Sequence, residues 1–230
     1  MAESTLPREH VFQDPHSNIC GPCSLAMVYA LRKKHIELDD ILRDFNQDKM
    51  GESTYTAQLA RHLEKNSLKT SLAVSSSKIV SPAWAGLPKT ELIENLKLWL
   101  TVHPKDFWHT NNLYLLFYLQ EGGTLSIVSY TVQSLKDMLD NGSTLIACVD
   151  EDWLWGHRLK RTPNYVRVDD VAGSLGGHFV VVTGYEGNTF HIFDSFPTNI
   201  EGRHGVYDIE AEILLNASLS WDPEILEVLK

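Results

Sequence analysis

The chain is poor in cysteine, in long apolar runs and in clustered positive charge, and each shortage removes a class of protein. Its three cysteines, Cys20, Cys23 and Cys148, are too few and odd in number for a disulfide framework, which points to a reducing, cytoplasmic setting. No apolar run approaches the length of a membrane span; Leu113 to Leu119 is interrupted and too short. Met1 to Val11 lacks the apolar core of a secretory signal. The longest basic run is Arg32-Lys33-Lys34 and the formal net charge is −10, so nucleic acid and anionic membranes are set aside as partners. There is no phosphate-cradling glycine loop, dinucleotide fingerprint, paired-carboxylate signature, internal repeat or low-complexity tract. No cofactor is expected.

What is present suits one large domain. Apolar residues make up 43% of the 230, enough for a sizeable core. Pro22 to Lys33 reads as a helix, with proline in its first turn, Leu25, Val28 and Leu31 on one stripe, and three cations at its end. Leu38 to Phe45 and Tyr55 to Leu63 read as short helices, and Thr70 to Val74 as a strand. Thr90 to Val102 and Phe107 to Leu119 are helical stretches rich in Leu, Trp, Tyr and Phe, either core or a partner-facing surface. Leu125 to Ser129 reads as a strand. Val132 to Leu139 is a helix stopped by Asn141-Gly142, and Thr144 to Val149 a buried strand. Asp150 to Gly177 is a long connection of the kind that covers or lines a site. Ile225 to Leu229 fits a last strand or a short helix.

Four residues stand out for their chemistry. Gln13 lies seven residues before Cys20, in a polar loop running into the first helix. Cys20 falls at or just before that helix N-terminus, where the partial positive charge favours an anion. His178 follows Gly176-Gly177, glycines that let backbone or substrate come close, and Asp194 ends the next apolar run. A thiol needs a base, the base needs an orienting group, and an oxyanion needs donors. The quartet offers one residue for each task. Plainer readings are a satisfied core histidine at His178 and a cap for the turn at Pro197 from Asp194. His103, His109 and His157 read as surface or packing residues.

Cys20-Gly21-Pro22-Cys23 is also the spacing of a redox dithiol, and with His10 and His16 upstream it has ligand types for zinc. A redox pair of that kind follows a hydrophobic strand, whereas here the approach is Asp14-Pro15-His16-Ser17-Asn18. The histidine spacing is not that of a metal knuckle. Neither a redox pair nor a metal site is the expectation.

Phe179 to Tyr185 and Thr189 to Asp194 form a hairpin turning through Glu186-Gly187-Asn188. A three-residue loop would set Tyr185 opposite Thr189, and His178 opposite Phe196 and diagonal to Asp194, within reach of it. A two-residue turn would reverse the parity and separate the pair.

Gln13, the run Cys20-Gly21-Pro22-Cys23-Ser24-Leu25-Ala26-Met27, the segment Gly177-His178-Phe179-Val180-Val181 and Asp194 together resemble the double-glycine leader peptidases. That family is the papain-like cysteine peptidase domain of bacteriocin-exporting transporters and its free-standing relatives. Tyr55 to Ala60 and Val132 to Gly142 are weaker matches, and a weaker resemblance runs to the guanylyl-cyclase-domain-containing family. About residues 10–75 and 125–196 carry the likeness; the helical pair Lys89 to Leu119 and the Asp150 to Gly177 segment have no counterpart in the compact transporter domain.

The resemblance implies an α+β, papain-like fold: a helical half with the nucleophile (1–75), a helical insertion (80–120) and a β-sheet half with His and Asp (124–230). It implies a thiol-dependent hydrolase acting on a peptide or isopeptide bond of a peptide or protein substrate. By position, Cys20 is its nucleophile, His178 its base, Asp194 the orienter, and Gln13 with the Cys20 N–H the oxyanion hole. An acyl or amide transferase with the same triad, and a non-catalytic binding subunit keeping the fold, are the alternatives. The aromatic insertion would be a partner's docking face.

Overall fold

The computed structural model describes residues 8–230, so most of the Met1 to Val11 segment lies outside the described residues. Three helices come first: α1 (Cys20–Leu31), α2 (Leu38–Asp44) and α3 (Thr56–Lys65). Strand β1 (Thr70–Val74) follows, then a single 3-10 turn at Pro82–Trp84, then α4 (Lys89–Val102) and α5 (His109–Gln120). The remainder is β2 (Leu125–Ile127), α6 (Val132–Asp140), β3 (Thr144–Asp150), α7 (Glu151–Trp155), β4 (Leu159–Thr162), β5 (Tyr165–Val168), β6 (Gly177–Glu186), β7 (Thr189–Asp194), β8 (Val206–Glu210), α8 (Ala211–Ser220) and β9 (Glu224–Val228). This is the α+β class expected.

One seven-stranded sheet, ordered β2-β1-β9-β3-β6-β7-β8, organises the molecule. Every pairing in it is antiparallel except β1 with β2. Ile225 to Leu229, ambiguous in sequence, is strand β9, and it lies mid-sheet between β1 and β3. The sheet therefore draws β1 from the helical first part of the chain as well as from the later residues.

Both faces of the sheet are covered, which is why β3 is apolar from Leu145 to Val149 and buried at every position. On one face Phe179, Val181, Phe193, Leu226 and Val228 meet Leu25, Met27 and Val28 of α1. On the other Val180, Val182, Ile192 and Ala147 meet Leu135 and Leu139 of α6 and Leu214 of α8. Helix α1 is buried from Gly21 to Tyr29, so it runs through the core rather than over it. The insertion joins the same core through Leu92 and Leu96 of α4 and Leu115 and Leu119 of α5, while Leu98, Val102 and Phe107 stay exposed. Asp150 to Gly177 is more than a loop: it holds α7 and a separate two-stranded ribbon, β4–β5. Among the described residues no helix is long and apolar enough to cross a membrane.

The β6–β7 hairpin departs from expectation in an instructive way. Glu186 pairs with Thr189, so the turn has two residues, Gly187 and Asn188, with Gly187 at φ +57°. Taken alone, that turn puts His178 and Asp194 on opposite faces. A bulge between Val182 and Gly184 inserts one residue and restores the parity, so that Val182 faces Ile192 and Val180 faces Asp194. The expected diagonal of His178 and Asp194 is thus reached by two compensating irregularities.

Candidate active site

Cys20 is the first residue of α1, two positions earlier than the sequence reading began the helix, and it is partly exposed. The earliest helical bond runs from the Cys23 N–H to the Ile19 carbonyl, so the N–H groups at Cys20 and Gly21 precede any intrahelical acceptor. Only glycine fits at position 21, because a Cβ there would lie 2.1 Å from the Thr54 hydroxyl. Ser24, one turn on, donates to the Phe179 carbonyl at 3.3 Å and ties the helix start to β6 beside His178.

His178 is 3% exposed and its Nε2 lies 2.7 Å from Asp194 Oδ1. Asp194 is wholly buried and surrounded by donors. Oδ1 also accepts the Phe196 N–H at 2.8 Å; Oδ2 accepts the Trp155 indole N–H at 2.9 Å and the Tyr207 hydroxyl at 2.8 Å. An indole and a peptide N–H can only donate, so the carboxyl is held as a carboxylate, and His178 must present Nε2–H to it. Nδ1 is the nitrogen left over, and the Cys20 sulfur lies beside the same ring and helps to hold its proton. Burial opposes charge on His178, but the Asp194 charge and hydrogen bond, then Cys20, outweigh it and raise the imidazole to about 10. Burial likewise opposes the Asp194 charge, and the facing His178, Trp155 and the Phe196 N–H overcome it, holding the carboxyl below its ordinary range. The bond to Phe196 is the turn cap that the plainer reading assigned to Asp194, so one carboxylate does both.

Gln13 is buried, and its amide is clamped at both ends. Ser195 Oγ donates to Oε1 at 2.7 Å, and Nε2 donates to the Ser17 carbonyl at 3.2 Å. The backbone repeats the tie, Gln13 N–H to the Ser195 carbonyl at 2.9 Å. One amide hydrogen of Nε2 remains for a ligand.

The two glycines before His178 are needed for neighbours within the fold. A Cβ on Gly177 would meet the Trp221 indole nitrogen at 2.0 Å, and one on Gly176 the Glu151 carboxyl at 2.5 Å. Glu151 in turn holds Arg161 of the ribbon, Nη2 to Oε2 at 2.8 Å, and that guanidinium lies 5.0 Å over Phe196. The Asp150 to Gly177 segment therefore walls the His–Asp pair, with Trp155 at 5.5 Å from the imidazole and 4.9 Å from Phe196.

Cys23 points away from His178 into a small apolar cluster with Ile19 and Leu42, and burial pushes its thiol up. His10 is spent on the Asp194 carbonyl, with Nε2 2.8 Å from it. Tyr207, Ser195 and Trp221 escaped the sequence reading, and Trp155 showed only that it lies in the segment expected to cover or line a site, not that it donates to Asp194. Ser195 adjoins Asp194 and could have been suspected; the other three are ordinary aromatics brought in by the tertiary fold.

A search of the curated proteins finds no match. Among solved structures, a Bacillus anthracis protein assigned as a C39-like peptidase aligns over 99% of this chain and 96% of its own, at 12% identity and a TM-score of 0.46. The sequence model of the Peptidase_C39 like family matches residues 5–222, nearly the whole chain, and the protein belongs to that family.

Proposed function

We propose that this protein is a cysteine peptidase that cleaves a peptide or isopeptide bond through Cys20, His178 and Asp194. The observation that carries the reading is the buried Asp194–His178 pair, which leaves one imidazole nitrogen for the Cys20 thiol at the helix start. In this scheme His178 Nδ1 takes the Cys20 proton and the thiolate attacks the carbonyl carbon. Negative charge gathers on the carbonyl oxygen, which the Gln13 Nε2–H and the Cys20 N–H receive. His178 passes its proton to the departing nitrogen, whose bond to carbon breaks, leaving an acyl group on sulfur. Water then attacks, giving a proton to His178, and the thiol is restored as the acid leaves. Asp194 keeps the imidazole oriented and favours its cation throughout. The likeness of these motifs to the double-glycine leader peptidases supports a peptide as substrate.

Iodoacetamide labelling with peptide mapping at neutral pH tests the nucleophile. Cys20 should alkylate well before Cys23 and Cys148, both of which are buried. An unreactive Cys20 in the folded protein would sink the mechanism. Cys20→Ala should abolish thiol-dependent hydrolysis, whereas Cys23→Ala should keep it and cost only about 1–2 kcal/mol of stability. Equal loss from both substitutions would point instead to a redox dithiol.

A further inference from the structure

Beside the Cys20 loop the surface opens into a groove of about 640 Å³, walled by Phe45 to Tyr55 on one side and by Thr110 and Tyr114 of the insertion on the other. Its near edge is fastened to the residues that precede the thiol. The Asn18 N–H donates to the Met50 carbonyl at 2.8 Å, and Gly51, at φ +58°, presses against Ile19 so closely that a Cβ would lie 2.3 Å from its Cγ2. The groove thus begins next to the residue before Cys20.

Its chemistry is specific. Tyr55 and Tyr114 stack at 5.5 Å, giving an aromatic wall, and the charged side chains lining it, Asp48 and Glu52, are both anionic. The nearby cations are engaged elsewhere: Lys49 lies 3.8 Å from Asp39, and Arg61 grips Glu121, Nε to Oε2 at 2.8 Å. Asp48 Oδ1 already accepts the Met50 and Gly51 N–H groups, which leaves its Oδ2 and the Glu52 carboxylate. An aromatic pair sharing a groove with them suits a long cationic side chain, its stem on the rings and its head at the charge.

Resting on the cysteine peptidase reading, we propose that this groove takes the acyl half of the peptide substrate and selects a lysine or arginine side chain there. The departing nitrogen collects its proton from His178 and leaves on the strand side of the thiol. The acyl half, still bonded to sulfur, extends the other way, along Ile19 and the Met50–Gly51 edge. The insertion is on this account a specificity wall.

The test measures how fast the intact protein is alkylated at Cys20 by acetyl-tripeptidyl chloromethyl ketones carrying Lys, Leu or Glu at each position in turn, with iodoacetamide as the small control. At one position the Lys probe should react about tenfold or more faster than the Glu probe. Glu52→Lys should erase or invert that preference. Thr110→Trp, at an exposed helix position, should slow every peptidyl probe, and neither change should alter the iodoacetamide rate. Equal rates for Lys, Leu and Glu at all positions, with brisk iodoacetamide labelling, would overturn the groove's role and leave the nucleophile standing. Slow labelling by iodoacetamide itself would remove the nucleophile, and the groove's role with it.

Discussion

Asp194 and Glu224 are both sealed in the core at strand ends, 0% and 2% exposed, yet their carboxyls are displaced in opposite directions. Burial pushes Glu224 up to about 7; Thr56, donating at 2.9 Å, and Asn111, at 3.4 Å, oppose this only in part, and Asp222 adds charge of the same sign. Asp194, equally dry, has four donors, the His178 imidazole among them, and is lowered. Burial alone does not decide whether an acid is charged; the donors and the neighbouring charge do. The fold thus holds one carboxylate committed to charge, beside His178, and another that gives its charge up near neutrality.

The strongest way to break this contrast is Asp194→Asn. The amide has one oxygen and would set its own N–H groups against donors that the carboxylate satisfied. A stability loss of about 3–5 kcal/mol and a fall in kcat of about 10⁴-fold are expected, from urea unfolding and from kinetics on a cleaved peptide. A folded, fully active variant would end the argument.

Glu224→Gln should do the reverse. Its oxygen can still accept from Thr56, and its new N–H, which replaces the oxygen facing Asn111 Nδ2, can donate to Asn111 Oδ1 once that amide turns over. A carboxyl raised from about 4.5 to about 7 on folding binds more protons in the folded state between those values, so wild-type stability falls as pH climbs through that window. Asp222, raised by burial to about 6, adds to the slope. The variant should gain about 1–3 kcal/mol at pH 8, gain nothing below pH 4.5, and show a flatter pH dependence. The His–Asp pair behaves differently. The lowered Asp194 contributes stability above its unfolded pKa and loses it as pH falls. The raised His178 contributes stability below about pH 6.5 and loses it as pH rises toward 10. Equal slopes for wild type and Glu224→Gln between pH 4.5 and 7 would count against the assignment.

Ser195→Ala gives the smallest and most pointed effect. The Gln13 amide would lose the hydroxyl that fixes its oxygen, and kcat should drop about tenfold with KM little changed, since the oxyanion forms only in the transition state. An equal rise in KM would place Gln13 in ground-state binding instead.

Much of this was legible in the sequence, for physical reasons that differ by residue. Cys20, His178 and Asp194 stand in local settings with signatures: a helix with proline in its first turn, a glycine pair, the end of an apolar strand. The hairpin geometry was legible only in its sum. Tyr185 faces Phe190, not Thr189, because the turn is shorter than its residues suggested, and the bulge near Thr183 that corrects it has one marker, Gly184 inside the strand pattern, which alone does not fix the register. The donors to Asp194 were not readable at all. Trp155 is 39 residues away in a segment that read as loop, and Tyr207 lies on β8, paired with Ile192. Glu224 gave no sign of its burial, since a terminal Ile225 to Leu229 run fits either helix or strand until the sheet places it between β1 and β3.

The ties that join Gln13 to Ser195 and His10 to Asp194 span 182 and 184 residues. Contacts of such separation form late, and a chain made from its N-terminus at about 5–20 residues per second spends on the order of ten seconds or more between the two ends of each tie. Throughout that interval Cys20 exists without Asp194, and the Gln13 amide without the Ser195 hydroxyl that fixes its oxygen. The Gln13, His178, Asp194 and Ser195 constellation around Cys20 is consequently a product of the folded chain and has no counterpart in any N-terminal fragment that stops short of Asp194.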